Sequence, residues 1–268
     1  MLYKLFSFAN KKARNIRGDS PPIDKRYAII YNVLKQYQKS AGADTMEKSK
    51  KEKIGIIILV VICCIAMALV ETIIEPAYFV KSAAKVIVFS VLPLIVMKLL
   101  KIKLFDDNIR LNKEDVLKLL LLGAAIYGVI IGAFFITRKF FDYSELVRSL
   151  SEDQNVDSRS FIWVALYISF GNSFLEEFLF RFIAFIKLSE YIPKKFAYIF
   201  SSVLFAVYHI AMIGPSFPPP LLLLALFGLT VGGFIFDLVD GKNKNIYNSW
   251  IIHMFADFAI MTIWFIYI

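Results

Sequence analysis

The sequence predicts an all-α fold, a polytopic transmembrane helical bundle with about seven spans and a range of six to eight. Hydrophobic residues make up 58% of the 268 positions, whereas a soluble domain has roughly 45–50%. The mean hydropathy of +0.63 points the same way. Seven apolar segments approach the length of about 20 residues that crosses a bilayer. They are Ile54–Val70, Ala83–Leu100, Val116–Thr137, Ser160–Ile186, Phe196–Ile213, Leu221–Val239 and Trp250–Ile268.

The apolar segments divide the chain into three parts. Residues 1–53 form a basic cytoplasmic segment, residues 54–159 hold the first three spans with an outer loop, and residues 160–268 form a candidate catalytic membrane core. Within the first part, Tyr27–Tyr37 has an amphipathic pattern that is typical of a helix lying on the membrane surface. A partly disordered basic tail accounts for the same composition.

The positive charge is distributed like that of a membrane protein. The net charge is +9, and residues 1–53 hold 13 Lys or Arg against five Asp or Glu. This cluster precedes an apolar run, so it indicates topology and contact with anionic lipids, not nucleic-acid binding. With the N-terminus in the cytoplasm, 24 basic residues fall on cytoplasmic segments and six on the opposite side. The bias predicts a cytoplasmic N-terminus and an outer C-terminus in a plasma membrane.

The fourth apolar run, Ser160–Ile186, carries ionisable side chains in its interior. Charged groups in the hydrocarbon region are costly and usually functional. Glu177 and Arg181 are four residues apart, so they share a helix face and can pair. Glu176 is rotated by about 100° from its neighbour and is free to face another helix.

The two histidines of the chain both lie in apolar runs. His209 and Glu176 are equidistant from the polar turn between their runs, so an antiparallel hairpin places them at the same depth. His253 and Asp257 are four residues apart and share a face of the seventh run. We therefore expect these four side chains to lie close together.

Carboxylates and imidazoles in this combination support two kinds of hydrolytic chemistry. A glutamate can take a proton from water while imidazoles stabilise a developing oxyanion. Alternatively, Glu176, His209 and His253 could hold Zn²⁺ or another divalent metal that activates the water. Each feature alone also fits a packed histidine or a structural ion pair. The chain contains no HExxH, GxSxG or Walker motif, which argues against zincins, serine hydrolases and P-loop proteins.

These residues resemble the motifs of the CPBP family, the intramembrane proteases that include the CAAX prenyl endopeptidases type 2 and the bacteriocin-processing Abi proteins. The resemblance covers roughly residues 160–268. It rests on three motifs in order on successive membrane helices, EExxxR, FxxxH and HxxxN/D. They correspond to Glu176, Glu177 and Arg181, to Phe205 and His209, and to His253 and Asp257.

The resemblance implies a role for each residue. Glu176 would activate the attacking water, His209 would position that water or stabilise the oxyanion, and His253 and Asp257 would complete the oxyanion side. Eukaryotic prenyl-protein enzymes have Asn where this chain has Asp257. An ionised Asp cannot donate to an oxyanion, so Asp257 is protonated, orients His253 or favours a metal. A bracing role falls to two residues, Glu177 and Arg181.

The leading functional hypothesis is an intramembrane endopeptidase, metal-dependent or glutamate-dependent, that cuts a membrane-associated peptide or protein. The Lys, Ile, Phe and Asn bias is typical of an AT-rich bacterium, where peptide maturation, bacteriocin immunity or surface-protein regulation is expected. A non-catalytic scaffold or immunity protein and a proton-coupled transporter are the alternatives. One conflict concerns depth. His253 is near the start of its run, whereas Glu176 and His209 lie far from their turn, so we expect a site nearer the cytoplasmic leaflet.

Overall fold

The computed structural model describes residues 25–104, 113–154 and 159–267, and within these ranges no strand occurs. Helix α5 covers residues 161–187 in four consecutive segments, Phe161–Leu166, Tyr167–Asn172, Ser173–Glu176 and Glu177–Lys187. The other helices are α1 (Lys25–Leu69, continued by a π turn at Val70–Ile74), α2 (Tyr78–Leu99), α3 (Lys113–Thr137), α4 (Tyr143–Gln154), α6 (Lys194–Ile213), α7 (Pro219–Asp240) and α8 (Tyr247–Tyr267).

Six helices among the described residues are long and apolar enough to cross a membrane. They confirm the predicted all-α polytopic bundle, and the protein is an integral membrane protein. The remaining predicted run, the fourth (Ser160–Ile186), coincides with α5, which is less apolar because it contains Asn172, Glu176, Glu177 and Arg181. The six candidate spans are Ser49–Ile74, Tyr78–Leu99, Asp115–Thr137, Lys194–Ile213, Pro219–Asp240 and Tyr247–Tyr267.

The N-terminal region forms a unit of its own that ends at Lys51. Its described part is helical from Lys25 onwards, so the segment Tyr27–Tyr37 is a helix. Contact of that helix with a membrane surface stays a prediction. Residues 25–53 of the segment are therefore helical, and the alternative of a partly disordered tail concerns residues 1–24, which lie outside the described residues.

Helix α5 lies at the centre of the second unit. Its side chains from Leu175 to Lys187 are all buried. Phe180 meets Phe89 of α2 edge to face at 5.9 Å and Phe205 of α6 at 5.3 Å, measured between ring centroids. Because lipid is as apolar as these side chains, moving them out of lipid does not drive helix association. The close packing of side chains and their polar contacts stabilise it instead. Parts of α5 are wound as a π-helix, a form that is often found at functional sites.

The glycine pairs of α3 and α7 do not mediate helix contact. Glycines four residues apart permit close approach of two helices, and the spacing Gly128–Gly132 and Gly228–Gly232 predicts such contact. Among the residues that the structure describes, a Cβ atom added at any of the four would meet nothing within 4 Å, so the predicted contact with another helix of this part of the chain is wrong. Close approach occurs instead at Gly233, where an added Cβ would lie 3.0 Å from Ser202 Cα.

Two adjacent glycines of α7 provide a test of this packing. Gly233→Ala should lower the stability by about 1–3 kcal/mol, because the backbone of α6 must move away. Gly232→Ala is the matched control, since open space surrounds that position. It should be neutral or stabilising, because alanine favours a helix by roughly 0.5–1 kcal/mol over glycine. Thermal unfolding in detergent measures both, and equal melting temperatures would contradict the packing described here.

Candidate active site

The structure brings the predicted site residues together from three helices. Glu176 Oε2 of α5 lies 3.8 Å from His209 Nε2 of α6 and 3.8 Å from His253 Nε2 of α8. Asp257 Oδ1 lies 3.7 Å from the same nitrogen of His253. The conflict in depth therefore does not keep these residues apart. The expected position near the cytoplasmic leaflet stays a prediction.

The two oxygens of Glu176 have different surroundings. Oε1 accepts hydrogen bonds from Lys85 Nζ at 2.5 Å and from Asn172 Nδ2 at 3.1 Å. Oε2 faces the two imidazoles at distances too long for direct hydrogen bonds. The carboxylate is thus anchored through one oxygen and presents the other to a gap between the histidines.

His209 is oriented by its own helix. Its Nδ1 lies 2.7 Å from the carbonyl oxygen of Phe205, one turn earlier. A carbonyl only accepts, so Nδ1 carries the hydrogen of this bond. Nε2 is then directed towards Glu176 and, in the neutral ring, offers a lone pair. The side chain of His209 is 14% exposed, so it lies at an accessible edge of the site.

His253 has a more acidic environment than His209. Its Nδ1 lies 2.7 Å from Glu177 Oε1, and its Nε2 faces Glu176 and Asp257. The imidazole ring stacks on Phe236 of α7 with centroids 5.2 Å apart. Three carboxylates surround this ring, and their negative charge supports the positively charged imidazolium form of His253. The stacking on Phe236 fixes the position of the ring.

A second layer of buried charge supports Glu177. Arg181 Nε lies 3.3 Å from Glu177 Oε2 and 3.8 Å from Asp237 Oδ1. Its guanidinium carbon sits 4.3 Å from the ring centre of Phe205 and 5.0 Å from that of Phe236. Such cation–π contacts are strongest where water is excluded. The predicted pair of Glu177 and Arg181 forms, and Asp237 extends it.

Asp237 corrects one expectation from the sequence. Its place near the inner end of its run suggested a residue that reaches towards water or caps the helix. The residue is fully buried and accepts hydrogen bonds from the hydroxyls of Ser201 at 3.1 Å and Ser202 at 3.0 Å. Asp237 therefore belongs to the charge network behind the site.

Lys85 is a site residue that the motifs missed. Lys81 and Lys85 are two of the six basic residues that the charge bias predicts on the opposite side and its flanks, but α2 begins at Tyr78 and buries both side chains. The position of Glu71 at the end of the first apolar run predicts a solvated carboxylate, but Glu71 pairs with Lys81 at 3.1 Å and its side chain is only 10% exposed. The available signal was a lysine within the apolar run Ala83–Leu100, with a second lysine one helical turn before it.

The fit of a divalent metal can be judged from the donor atoms. Among the described residues, no group of three or more His, Cys, Asp or Glu side chains could hold a metal ion. Glu176, His209 and His253 come closest, but the ammonium of Lys85 already contacts Glu176. The predicted Zn²⁺ or other divalent ion at these residues stays an untested alternative.

Comparison with known proteins gives one family match. Residues 158–259 match the family model described as Type II CAAX prenyl endopeptidase Rce1-like. This match confirms the resemblance to the CAAX protease family. The matched residues include all three motifs. No curated protein and no solved structure matches the chain.

Proposed function

On the basis of a membrane core of the CAAX protease family, we propose that the protein is an intramembrane endopeptidase that hydrolyses a peptide bond with a water activated by Glu176. The observation that carries this proposal is the gap between Glu176 Oε2 and the Nε2 atoms of His209 and His253. Each distance is 3.8 Å. A water molecule at about 2.8 Å from each partner fits such a gap.

The surroundings of the two histidines suggest a division of labour. Neutral His209 can accept one hydrogen of the water through Nε2, while Glu176 Oε2 accepts the other. The water oxygen then directs a lone pair towards the substrate. His253, supported in its charged form by Glu177 and Asp257, can donate from Nε2 first to the water and then to the oxyanion of the substrate as that oxyanion forms.

The reaction follows from this arrangement. The water oxygen attacks the carbonyl carbon of the scissile bond, and Glu176 takes the released proton. The carbonyl oxygen gains negative charge, which protonated His253 stabilises. When the C–N bond breaks, the proton held by Glu176 passes to the leaving amine. The products are a carboxylic acid and an amine, and the carboxylate of Glu176 is restored.

The expected substrate is a membrane-associated peptide or protein, because the site lies among membrane-spanning helices. We place the N-terminus in the cytoplasm of a bacterial cell, where the basic residues of the N-terminal segment would contact anionic lipids. Peptide maturation, bacteriocin immunity and surface-protein regulation are the roles that this activity would serve. A scaffold or a transporter of the same fold would cleave nothing.

Peptide cleavage by the purified protein tests the proposal. Wild type and Glu176→Gln would be reconstituted into liposomes of phosphatidylethanolamine and phosphatidylglycerol and incubated with a panel of membrane-inserted peptides. Mass spectrometry identifies the products. We expect a defined cleavage by wild type only. No cleavage by wild type, or the same products from both proteins, would refute an endopeptidase that depends on Glu176.

Asp257→Asn distinguishes the roles that are open to Asp257. If Asp257 mainly orients His253 or donates to the oxyanion, the amide can replace it, and cleavage should stay within about tenfold of wild type. Asp257→Leu removes both abilities and is the comparison variant, with an expected loss of roughly a hundredfold. Initial cleavage rates on one peptide measure both. Equal losses of cleavage rate in Asp257→Asn and Asp257→Leu would show that the negative charge of Asp257 is itself required.

A further inference from the structure

Lys85 provides a contact to the site from outside the segment that matches the family. Its side chain is only 4% exposed, and its Nζ lies 2.5 Å from Glu176 Oε1 and 2.5 Å from Asn172 Oδ1. The ammonium also lies 5.3 Å from the ring centre of Phe89 and 5.2 Å from that of Tyr208. The ammonium is thus surrounded by an anion, an amide and two aromatic rings.

The same helix offers an internal comparison. Lys81 lies one turn before Lys85 on α2, and it is also buried and also paired, in this case with Glu71. Both pairs are compatible with a purely structural role, because a buried charge requires a partner. The difference is that Lys85 contacts Glu176, whose second oxygen faces the two histidines.

We infer that Lys85 is a positioning residue for catalysis, which fixes Glu176 through Oε1 so that Oε2 points into the gap between His209 and His253. This inference rests on the proposed function. The anchor uses two donors, since Asn172 Nδ2 binds the same oxygen at 3.1 Å. Rotation of the carboxylate away from the histidines would break both hydrogen bonds inside a low-dielectric core.

The consequence is a site that is shared between the two halves of the chain. The general base and both imidazoles come from the matched segment 158–259, but the group that orients the base comes from α2. A displacement of about 1 Å in a reacting group can reduce the rate roughly a hundredfold. The position of α2 relative to α5 should therefore affect kcat more than substrate binding.

Three single variants test the inference by cleavage kinetics in liposomes. Lys85→Met should lower kcat about a hundredfold and leave KM within about threefold. Lys85→Arg keeps a cation with several donors and should recover at least about a tenth of the wild-type kcat. Lys81→Met is the matched control, because it also removes a buried ion pair from the same helix. It should leave kcat within about threefold of the wild-type value.

The double variant Lys85→Met/Glu176→Gln separates positioning from folding. Both charges are removed together, so its melting temperature should exceed that of Lys85→Met. Its residual activity should equal that of Glu176→Gln, because an anchor is irrelevant once the base is lost. If Lys85→Met unfolds, the kcat of Lys85→Arg is compared with that of Lys81→Met. A lower kcat for Lys85→Arg supports the positioning role of Lys85, and equal values overturn it.

The outcomes distinguish this inference from the proposed function. Equal kcat values for Lys85→Met, Lys81→Met and wild type would overturn the role of Lys85, while a dead Glu176→Gln would still support the proposed function. Equal losses of kcat in Lys85→Met and Lys81→Met would indicate that any buried ion pair of α2 affects the rate. That result would also overturn the role of Lys85. Absence of cleavage by wild type would overturn both.

Discussion

Replacement of Glu176 by glutamine should lower peptide cleavage by about 10²–10⁴-fold, the range expected for loss of a general base. Glutamine keeps the length of the side chain, and its carbonyl oxygen can still accept from Lys85. It cannot take a proton from water at neutral pH. The variant should therefore stay folded with a somewhat lower melting temperature, because the buried ammonium loses its negative partner.

The measurement is an initial rate on one cleaved peptide, together with a melting curve for each protein. Glu145→Gln is the matched control. Glu145 lies on α4, where its carboxylate pairs with Arg148 and is largely exposed. The same chemical change there should alter neither the rate nor the melting temperature noticeably. An active Glu176→Gln variant would assign the water activation to another group.

Local periodicity predicted the parts of the site that lie on single helices. The pairs Glu177–Arg181 and His253–Asp257 follow from helical spacing. The contact of Glu176 with His209 follows from the symmetry of a hairpin. Each of these expectations needs only the rise and rotation of a helix and the position of one turn.

Contacts that depend on how helices rotate against each other were not predictable. Lys85 reaches Glu176 because α2 turns its charged face towards α5, and Asp237 reaches Arg181 because α7 does the same. Both residues looked peripheral, since each lies close to the end of an apolar run. The prediction for Gly228–Gly232 was wrong in the opposite sense, since it expected a helix contact that the described residues do not make. A small residue permits a close contact without specifying a partner.

The buried charges around the candidate site form two connected layers. In the inner layer, Glu176 contacts Lys85 and faces both imidazoles. In the outer layer, Arg181 lies between Glu177 and Asp237. Glu177 joins the layers through its hydrogen bond with His253. Each layer combines cations with carboxylates, which reduces the cost of burying the charges.

Arg181→Met should be the most destabilising substitution in the protein. It removes the cation from between Glu177 and Asp237, and the side chain of each of these residues is fully buried. Loss of one partner from a buried ion pair costs about 3–5 kcal/mol, because the remaining charge cannot be solvated. Contacts with the rings of Phe205 and Phe236 are also lost. We expect a strongly lowered melting temperature and little folded protein after purification.

Arg148→Met removes an arginine from an exposed pair on α4 and is the matched control. Its melting temperature should be close to that of wild type, because solvent already screens the pair. Arg181→Lys should be intermediate, since lysine keeps the charge but lacks the planar group that stacks on the rings. If Arg181→Met folded normally and lost only activity, Arg181 would act on the reaction through Glu177 and His253. In that case the two charge layers would be coupled in catalysis and not in folding.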